Sequence, residues 1–121
     1  MKYYIIAGER SGDLHGGNLV RSLLKYDQHA ELRGFGGDEM EQMGVKLSVH
    51  YKEIAFMGFI SLATSLFKIF KFISFCKKDI LGFQPDAIIL IDYGGFNLRI
   101  AQFAKKMGIP VLYYIPPKVW A

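Results

Sequence analysis

The sequence predicts an α/β fold built on a doubly wound, mostly parallel sheet. Short apolar runs, most of them closed by Gly, alternate along the chain with segments whose apolar residues recur at helical spacing. The clearest runs, YYIIA and AIILI, are apolar at consecutive positions, as strands buried on both faces are. Right-handed crossovers between such strands place helices on both sides of the sheet. We therefore expect a Rossmann-like domain.

The first half of the chain predicts three strands and two helices. Residues 2–8, KYYIIAG, are an apolar run closed by Gly. The helix that follows has apolar residues at helical spacing, namely Leu19, Val20, Leu23 and Leu24. A strand, a short helix and a strand are predicted next, at residues 30–37, 38–43 and 45–50. Gly44 is expected to end the short helix.

The second half of the chain contains the clearest strand. Residues 86–95, DAIILIDYGG, follow Pro85, and the apolar run predicts a buried strand. A helix at residues 97–107 and a strand at residues 110–115 follow. No closing helix covers this last strand, so we expect residues 1–121 to be one domain of a longer protein.

Composition limits the class of protein. Half of the residues, 51%, are hydrophobic, which is enough for one domain with a substantial core. The formal charge of +4 favours anionic partners such as phosphates or acidic lipid, and we expect no nucleic acid. Cys76 has no second Cys or His at metal-ligand spacing, so we expect a buried, reduced thiol and no metal or cofactor. No signal peptide is evident, which together with the reduced thiol indicates the cytoplasm.

The turn after the first strand is a candidate binding site. Glycines at positions 8, 12, 16 and 17 leave room for a ligand, but their spacing matches neither familiar nucleotide-binding fingerprint. Glu9 and Ser11 suit a ligand rich in hydroxyl groups, and Arg10 suits a phosphate. Ser11 or Asp13 could instead cap the following helix, and we favour that function for Asp13. His15 is interpreted as structural.

A second candidate site lies at the end of the clearest strand. Asp92 directly follows the apolar run, and Gly94 and Gly95 leave space for a substrate. A partly desolvated carboxylate at this position can take a proton from an attacking hydroxyl group, and the alternative is a cap for the Asn97 helix. If the strand order reverses between the first strand and this one, both candidate sites face one crevice.

Residues 54–78 combine aromatic and basic side chains. The uncharged stretch ends at Lys68, short of the roughly 20 residues of a spanning helix. A core-facing stripe is predicted at Leu62, Leu66, Ile69 and Ile73. The residues expected to face an anionic membrane are Phe59, Phe67, Lys68, Lys71 and Phe72. A fully buried helix, or one covered by another domain, is the alternative.

Four sequence blocks carry a family resemblance. AGERSGDLHGGNLVRSL, FMGF, QPDAIILIDYGGFNLRIA and YYIPPKVWA occur in this order and together resemble the amino-terminal domain of lipid-A-disaccharide synthases. The resemblance implies the amino-terminal half of a two-domain glycosyltransferase B architecture at the cytoplasmic face of the inner membrane. It also implies inverting transfer of 2,3-diacylglucosamine from its UDP donor to the 6-hydroxyl of 2,3-diacylglucosamine 1-phosphate, with release of UDP.

The resemblance also assigns residues. It places Asp92 at the general base and Glu9 and Ser11 in the active-site turn. The residues expected to bind substrate are Gly8, Glu9, Arg10, Ser11, Gly12, Gly94 and Asn97. Gly95 and Ser61 stand where the family often has acidic residues. UDP-binding residues are expected outside this chain, so residues 1–121 alone should be inactive.

Two other function classes share the predicted architecture. A UDP-sugar epimerase would need no lipid-facing surface, and a nonenzymatic sugar-phosphate-binding domain would need no base at Asp92. The products formed from the diacylated donor and acceptor distinguish the three possibilities.

Overall fold

Strands and helices alternate along the chain as the apolar runs predict. The computed structural model describes residues 1–55, 62–91 and 94–114. The strands are β1 Lys2–Ala7, β2 Glu31–Gly36, β3 Lys46–His50, β4 Ala87–Ile91 and β5 Val111–Tyr114. The helices are α1 Arg10–Tyr26, α2 Asp38–Gln42, α3 Tyr51–Ala55, α4 Leu62–Phe83 and α5 Gly94–Met107. The predicted strands are confirmed to within a few residues at their ends.

The sheet is parallel throughout the described residues. Its strand order is β3-β2-β1-β4-β5, so β1 lies at the centre between β2 and β4. Ile5 pairs with Gly34 of β2 and with Ile89 of β4, which fixes the register of the central strands. The order reverses between β1 and β4, and the predicted neighbourhood of these two strands is confirmed. The doubly wound, Rossmann-like fold class is therefore confirmed.

Alternate side chains of the sheet build a core on each face. Tyr4 and Ile6 of β1 belong to a buried cluster that α4 and α5 cover. Ile5 and Ala7 point to the other face, where Val20 of α1 and residues of α2 pack against them. Because successive side chains of a strand point to opposite faces, an unbroken apolar run fills both cores.

A partly buried polar network fastens α4 to the sheet. Asp79 of α4 accepts hydrogen bonds from Tyr4 Oη at 2.7 Å, from Ser48 Oγ and from Arg33 Nη2 at 2.8 Å. Burial alone would raise the pKa of Asp79, but the hydrogen bonds from Arg33, Ser48 and Tyr4 outweigh it and lower that pKa. The carboxylate thus links three strands to one helix while it stays ionised.

The buried face of α4 differs from the predicted stripe. Ile73, Cys76 and Ile80 are buried, and Ile69 packs against them. The prediction for Leu66 is wrong, because its side chain is 48% exposed. None of the helices in the described part of the chain has the length and apolar character that crossing a bilayer requires.

Candidate functional site

The candidate site lies outside the carboxyl ends of β1 and β4. From β1 the chain crosses to β2 on one side, and from β4 it crosses to β5 on the other. One crossover packs against one face of the sheet, and the other packs against the opposite face. Because they diverge in this way, they leave a crevice between β1 and β4. Ala7 pairs with Ile91 at this end, so the turn after β1 and the segment after β4 begin side by side.

The turn after β1 presents polar side chains at the mouth of the crevice. Glu9, Arg10 and Ser11 are exposed, whereas Gly8 is buried at the end of the strand. Ser11 Oγ donates a hydrogen bond to Glu9 Oε1 at 3.1 Å. This contact orients the Glu9 carboxylate and leaves its other oxygen free to accept a hydrogen bond from a ligand. No side chain caps α1, so Ser11 is not a helix cap.

Asp13 is a helix cap, but not for the helix that contains it. Its buried carboxylate accepts hydrogen bonds from the backbone N–H groups of Gly37 at 2.8 Å and of Glu39 and Met40 at 3.0 Å. These groups lie at the start of α2, where the helix itself offers no acceptors. The prediction of a structural function is therefore right, while the helix it stabilises is α2 rather than α1.

The glycines of α1 allow close packing of helices and sheet. A Cβ atom on Gly16 would lie 2.7 Å from Met40 Sδ, and one on Gly17 would lie 3.2 Å from Glu39 Cβ. A Cβ atom on Gly12 would lie 3.3 Å from Ala7 Cβ. The space at these positions is thus occupied by neighbouring protein atoms. The contact of Gly12 with a substrate stays a prediction.

The second half of the crevice is formed by the start of α5. Asp92, the predicted general base, lies outside the described residues, between Ile91 of β4 and the helix that begins at Gly94. Gly94 has a φ of 39°, a left-handed conformation that favours Gly. The helix begins three positions before its predicted start, because this glycine turns the chain directly into the helix.

Asn97 connects α5 to β4 inside the protein. Its side chain is fully buried, and Nδ2 donates a hydrogen bond to the carbonyl oxygen of Ile91 at 3.1 Å. Oδ1 has no hydrogen-bond partner within the described ranges. Since α5 begins at Gly94, Asn97 lies inside the first turn and does not cap the helix. Its contact with substrate stays a prediction, and the observed contact holds the residue that precedes Asp92.

A cavity beside the opening turn adds a residue that the sequence interpretation missed. Arg10, Ser11 and Leu14 of α1 and Glu39 of α2 line a space of about 430 Å³. Arg10 forms no ion pair within the described residues, so its guanidinium group is available to an anion. Glu39 follows the Gly-rich end of β2, and the position of β2 beside β1 is the signal that could have identified it. His15 is half-buried and makes no hydrogen bond in the described structure.

The residues predicted to face a membrane differ in how far α4 exposes them. Phe67 is 63% exposed, and the Lys71 ammonium group lies 5.4 Å from the centre of its ring. Lys68 is half-buried. Phe72 is half-buried and packs against the core, and its contact with a membrane stays a prediction. Phe59 lies outside the described residues.

Comparison with known proteins identifies a family. A family profile described as Lipid-A-disaccharide synthetase matches residues 3–121. The lipid-A-disaccharide synthases of Geobacter metallireducens and Coxiella burnetii are 44% and 38% identical to this chain over 117 residues, or 97% of its length. The chain spans only 30% and 31% of these relatives.

A solved structure shares the fold. UDP-GlcNAc 2-epimerase from Neisseria meningitidis, bound to UDP-GlcNAc, superposes on 93% of this chain and 32% of its own, with a TM-score of 0.63. The identity is 16%, so this likeness concerns the fold alone.

Proposed function

The chain belongs to the Lipid-A-disaccharide synthetase family, and from this premise we propose that it forms the acceptor side of an inverting glycosyltransferase of lipid A synthesis. The donor is UDP-2,3-diacylglucosamine, and the acceptor is 2,3-diacylglucosamine 1-phosphate. The observation that carries the proposal is the crevice between β1 and β4, with the Glu9 and Ser11 pair at its mouth. The part of the protein that binds UDP is proposed to lie outside this chain, which spans about 30% of its relatives.

Asp92 is proposed as the general base. The 6-hydroxyl oxygen of the acceptor attacks the anomeric carbon of the donor, and its proton passes to the Asp92 carboxylate. The bond between the anomeric carbon and the β-phosphate oxygen breaks, and UDP leaves with the electron pair. Attack from the face opposite the leaving group inverts the anomeric configuration. Asn97 supports this step through its hydrogen bond to Ile91, the residue before Asp92.

The turn after β1 is proposed to hold the acceptor. The Glu9 carboxylate, oriented by Ser11, accepts a hydrogen bond from a sugar hydroxyl group. Arg10 pairs with the 1-phosphate, since its side chain is exposed and without an ion pair among the described residues. Gly8 and Gly94, near the beginnings of the two crossovers, let a sugar ring approach the backbone. In this proposal the acceptor hydroxyl faces the general base.

Substitution of the proposed base tests this assignment. Asp92→Asn in the intact protein keeps the shape of the side chain and removes its basicity, so we expect turnover to fall by about 10²–10⁴. Asp86→Asn is the matched control, because Asp86 is an exposed carboxylate at the opposite end of the same strand. If Asp92→Asn retains its rate and only lowers the melting temperature, Asp92 is a structural residue.

The exposed part of α4 is proposed to contact the anionic inner membrane. Phe67, Lys68 and Lys71 combine an exposed aromatic ring with two ammonium groups, each worth about 1 kcal/mol near an anionic surface. Replacing all three by Ser should weaken sedimentation with anionic vesicles by about tenfold or more, and make the remaining binding less sensitive to salt.

A matched triple variant controls for the loss of charge and of an aromatic ring. Lys25, Tyr26 and Lys105 are exposed residues of α1 and α5, and replacing them by Ser should leave vesicle binding close to that of the wild type. Equal loss in both variants would indicate nonspecific electrostatic attraction. Unchanged binding with the α4 substitutions would remove the membrane function from this helix.

A further inference from the structure

An apolar groove between α4 and α5 opens beside the proposed catalytic crevice. Four side chains of α4 line it, namely Leu66, Ile69, Phe70 and Ile73. Gly94, Gly95 and Phe96, at the start of α5, line its other side. The groove has a volume of about 360 Å³, within the range of about 300–1,000 Å³ that is typical of ligand sites. It is therefore large enough to hold part of a ligand.

The lining of the groove selects a hydrocarbon ligand. Leu66 and Phe70 are 48% and 49% exposed, whereas Ile73 and Phe96 are buried at its base. Hydroxyl groups or a nucleotide would lose hydrogen bonds to water here, because the lining side chains other than Arg99 are apolar. An alkyl chain has no such hydrogen bonds to lose.

The charged rim adds a second property. The Arg99 guanidinium group lies 5.0 Å from the centre of the Phe70 ring at the edge of the groove. Arg99 also lines an adjoining cavity together with Lys77 and Lys106. Among the described residues that line these two spaces, none is acidic. The surface thus complements a molecule that carries both an alkyl chain and a negative charge.

We propose that this groove holds one acyl chain of the lipid acceptor while its sugar lies in the crevice between β1 and β4. The inference rests on the function proposed above, which supplies an acceptor with acyl chains. A separate observation supports it, namely that the groove is continuous with the crevice. The groove ends at Gly94 and Gly95, where α5 begins beside the end of β4. A chain attached to a sugar in the crevice therefore enters the groove directly.

Blocking the mouth of the groove tests the proposal. A Cβ atom on Gly95 meets no other heavy atom within 4 Å, so Gly95→Trp adds an indole ring at the groove without displacing the backbone. Gly82→Trp is the matched control, because Gly82 is equally open and does not line the groove. Both variants are made in the intact protein, and circular dichroism checks their fold.

The readout is the dependence of kcat/KM on acyl length in a series of short-chain acceptors that remain monomeric in water. Monomeric acceptors are needed because a chain taken from a bilayer gains no hydrophobic free energy. In the wild type and in Gly82→Trp, kcat/KM should rise about fourfold for each methylene group that enters the groove. Gly95→Trp should lose most of this dependence.

The same slope in Gly95→Trp as in the wild type would overturn the groove assignment. Disaccharide formation by the wild type with no dependence on chain length would also overturn it, and would leave the proposed function intact. Absence of disaccharide with every acceptor would instead contradict the proposed function. The two failures are therefore distinguishable.

Photolabelling supplies a measurement that does not depend on turnover by a variant. An acceptor analogue with a diazirine at the end of one acyl chain is irradiated with the intact wild-type protein, and labelled peptides are mapped by mass spectrometry. Label should appear within residues 66–73 and 94–99, and unlabelled acceptor should suppress it. Label confined to Val49 and Phe75, which line a different cavity, would contradict the proposal.

Discussion

Replacement of Asp13 by Ala should destabilise the protein through α2, a helix that does not contain it. The carboxylate accepts hydrogen bonds from three backbone N–H groups at the start of α2, and Asp13 is only 2% exposed. A hydrogen bond to a charged group contributes about 1.5–3 kcal/mol, but removing a buried carboxylate also recovers its desolvation cost. We therefore expect the free energy of unfolding to fall by about 2–4 kcal/mol.

Graded variants make this expectation specific. Asp13→Asn keeps an acceptor for Gly37 and Met40, which both bond to Oδ1, and loses only the bond from Glu39, so its cost should be about half as large. Asp38→Ala, at an exposed position of α2, should cost less than about 1 kcal/mol.

Urea unfolding of the intact protein gives the free energies, and hydrogen exchange at residues 37–45 locates the loss. A change below about 0.5 kcal/mol in Asp13→Ala would refute the cap, because surface substitutions already have effects of that size.

Two further predictions concern the core beneath α4. The pKa of Asp79 is lowered in the folded state, so its contribution to stability is complete above the pKa of an unfolded Asp, about 3.9, and is lost as the pH falls through the lower folded value. Asp79→Asn should therefore unfold more easily at neutral pH and lose less stability on acidification, and urea midpoints across acidic pH check this. Burial raises the pKa of the Cys76 thiol to about 12, so iodoacetamide should modify Cys76 in urea but hardly at all in the folded protein, as intact-protein mass spectrometry would show.

The strands β1 and β4 were predictable because each is an almost continuous apolar run. KYYIIA and AIILI fill both faces of the sheet, and no helical face has that pattern. The crevice follows from the same pattern, because the connections that leave two such neighbouring strands run in opposite directions along the sheet. Local sequence therefore predicted the sheet and the segments that follow its two neighbouring strands β1 and β4.

The helix faces and the partners of polar residues were less predictable. Residues 62–83 are rich in apolar side chains around much of the helix, so a stripe through Leu66 fits the pattern as well as the observed one through Cys76 and Ile80. Asp13 contacts α2 because α1 and α2 pack on the same face, a tertiary contact that local sequence does not encode. Glu39 was missed for the same reason.

The most direct test of the account is the product that the intact protein forms from UDP-2,3-diacylglucosamine and 2,3-diacylglucosamine 1-phosphate. Mass spectrometry and phosphorus NMR identify the products. The Asp92→Asn variant, prepared in the same way, is the control. The account predicts a tetra-acylated disaccharide 1-phosphate and one equivalent of UDP, formed far more slowly by the variant. An epimerised donor with the acceptor unchanged, or unchanged donor and acceptor, would contradict the claim that this crevice is the acceptor site of a glycosyltransferase.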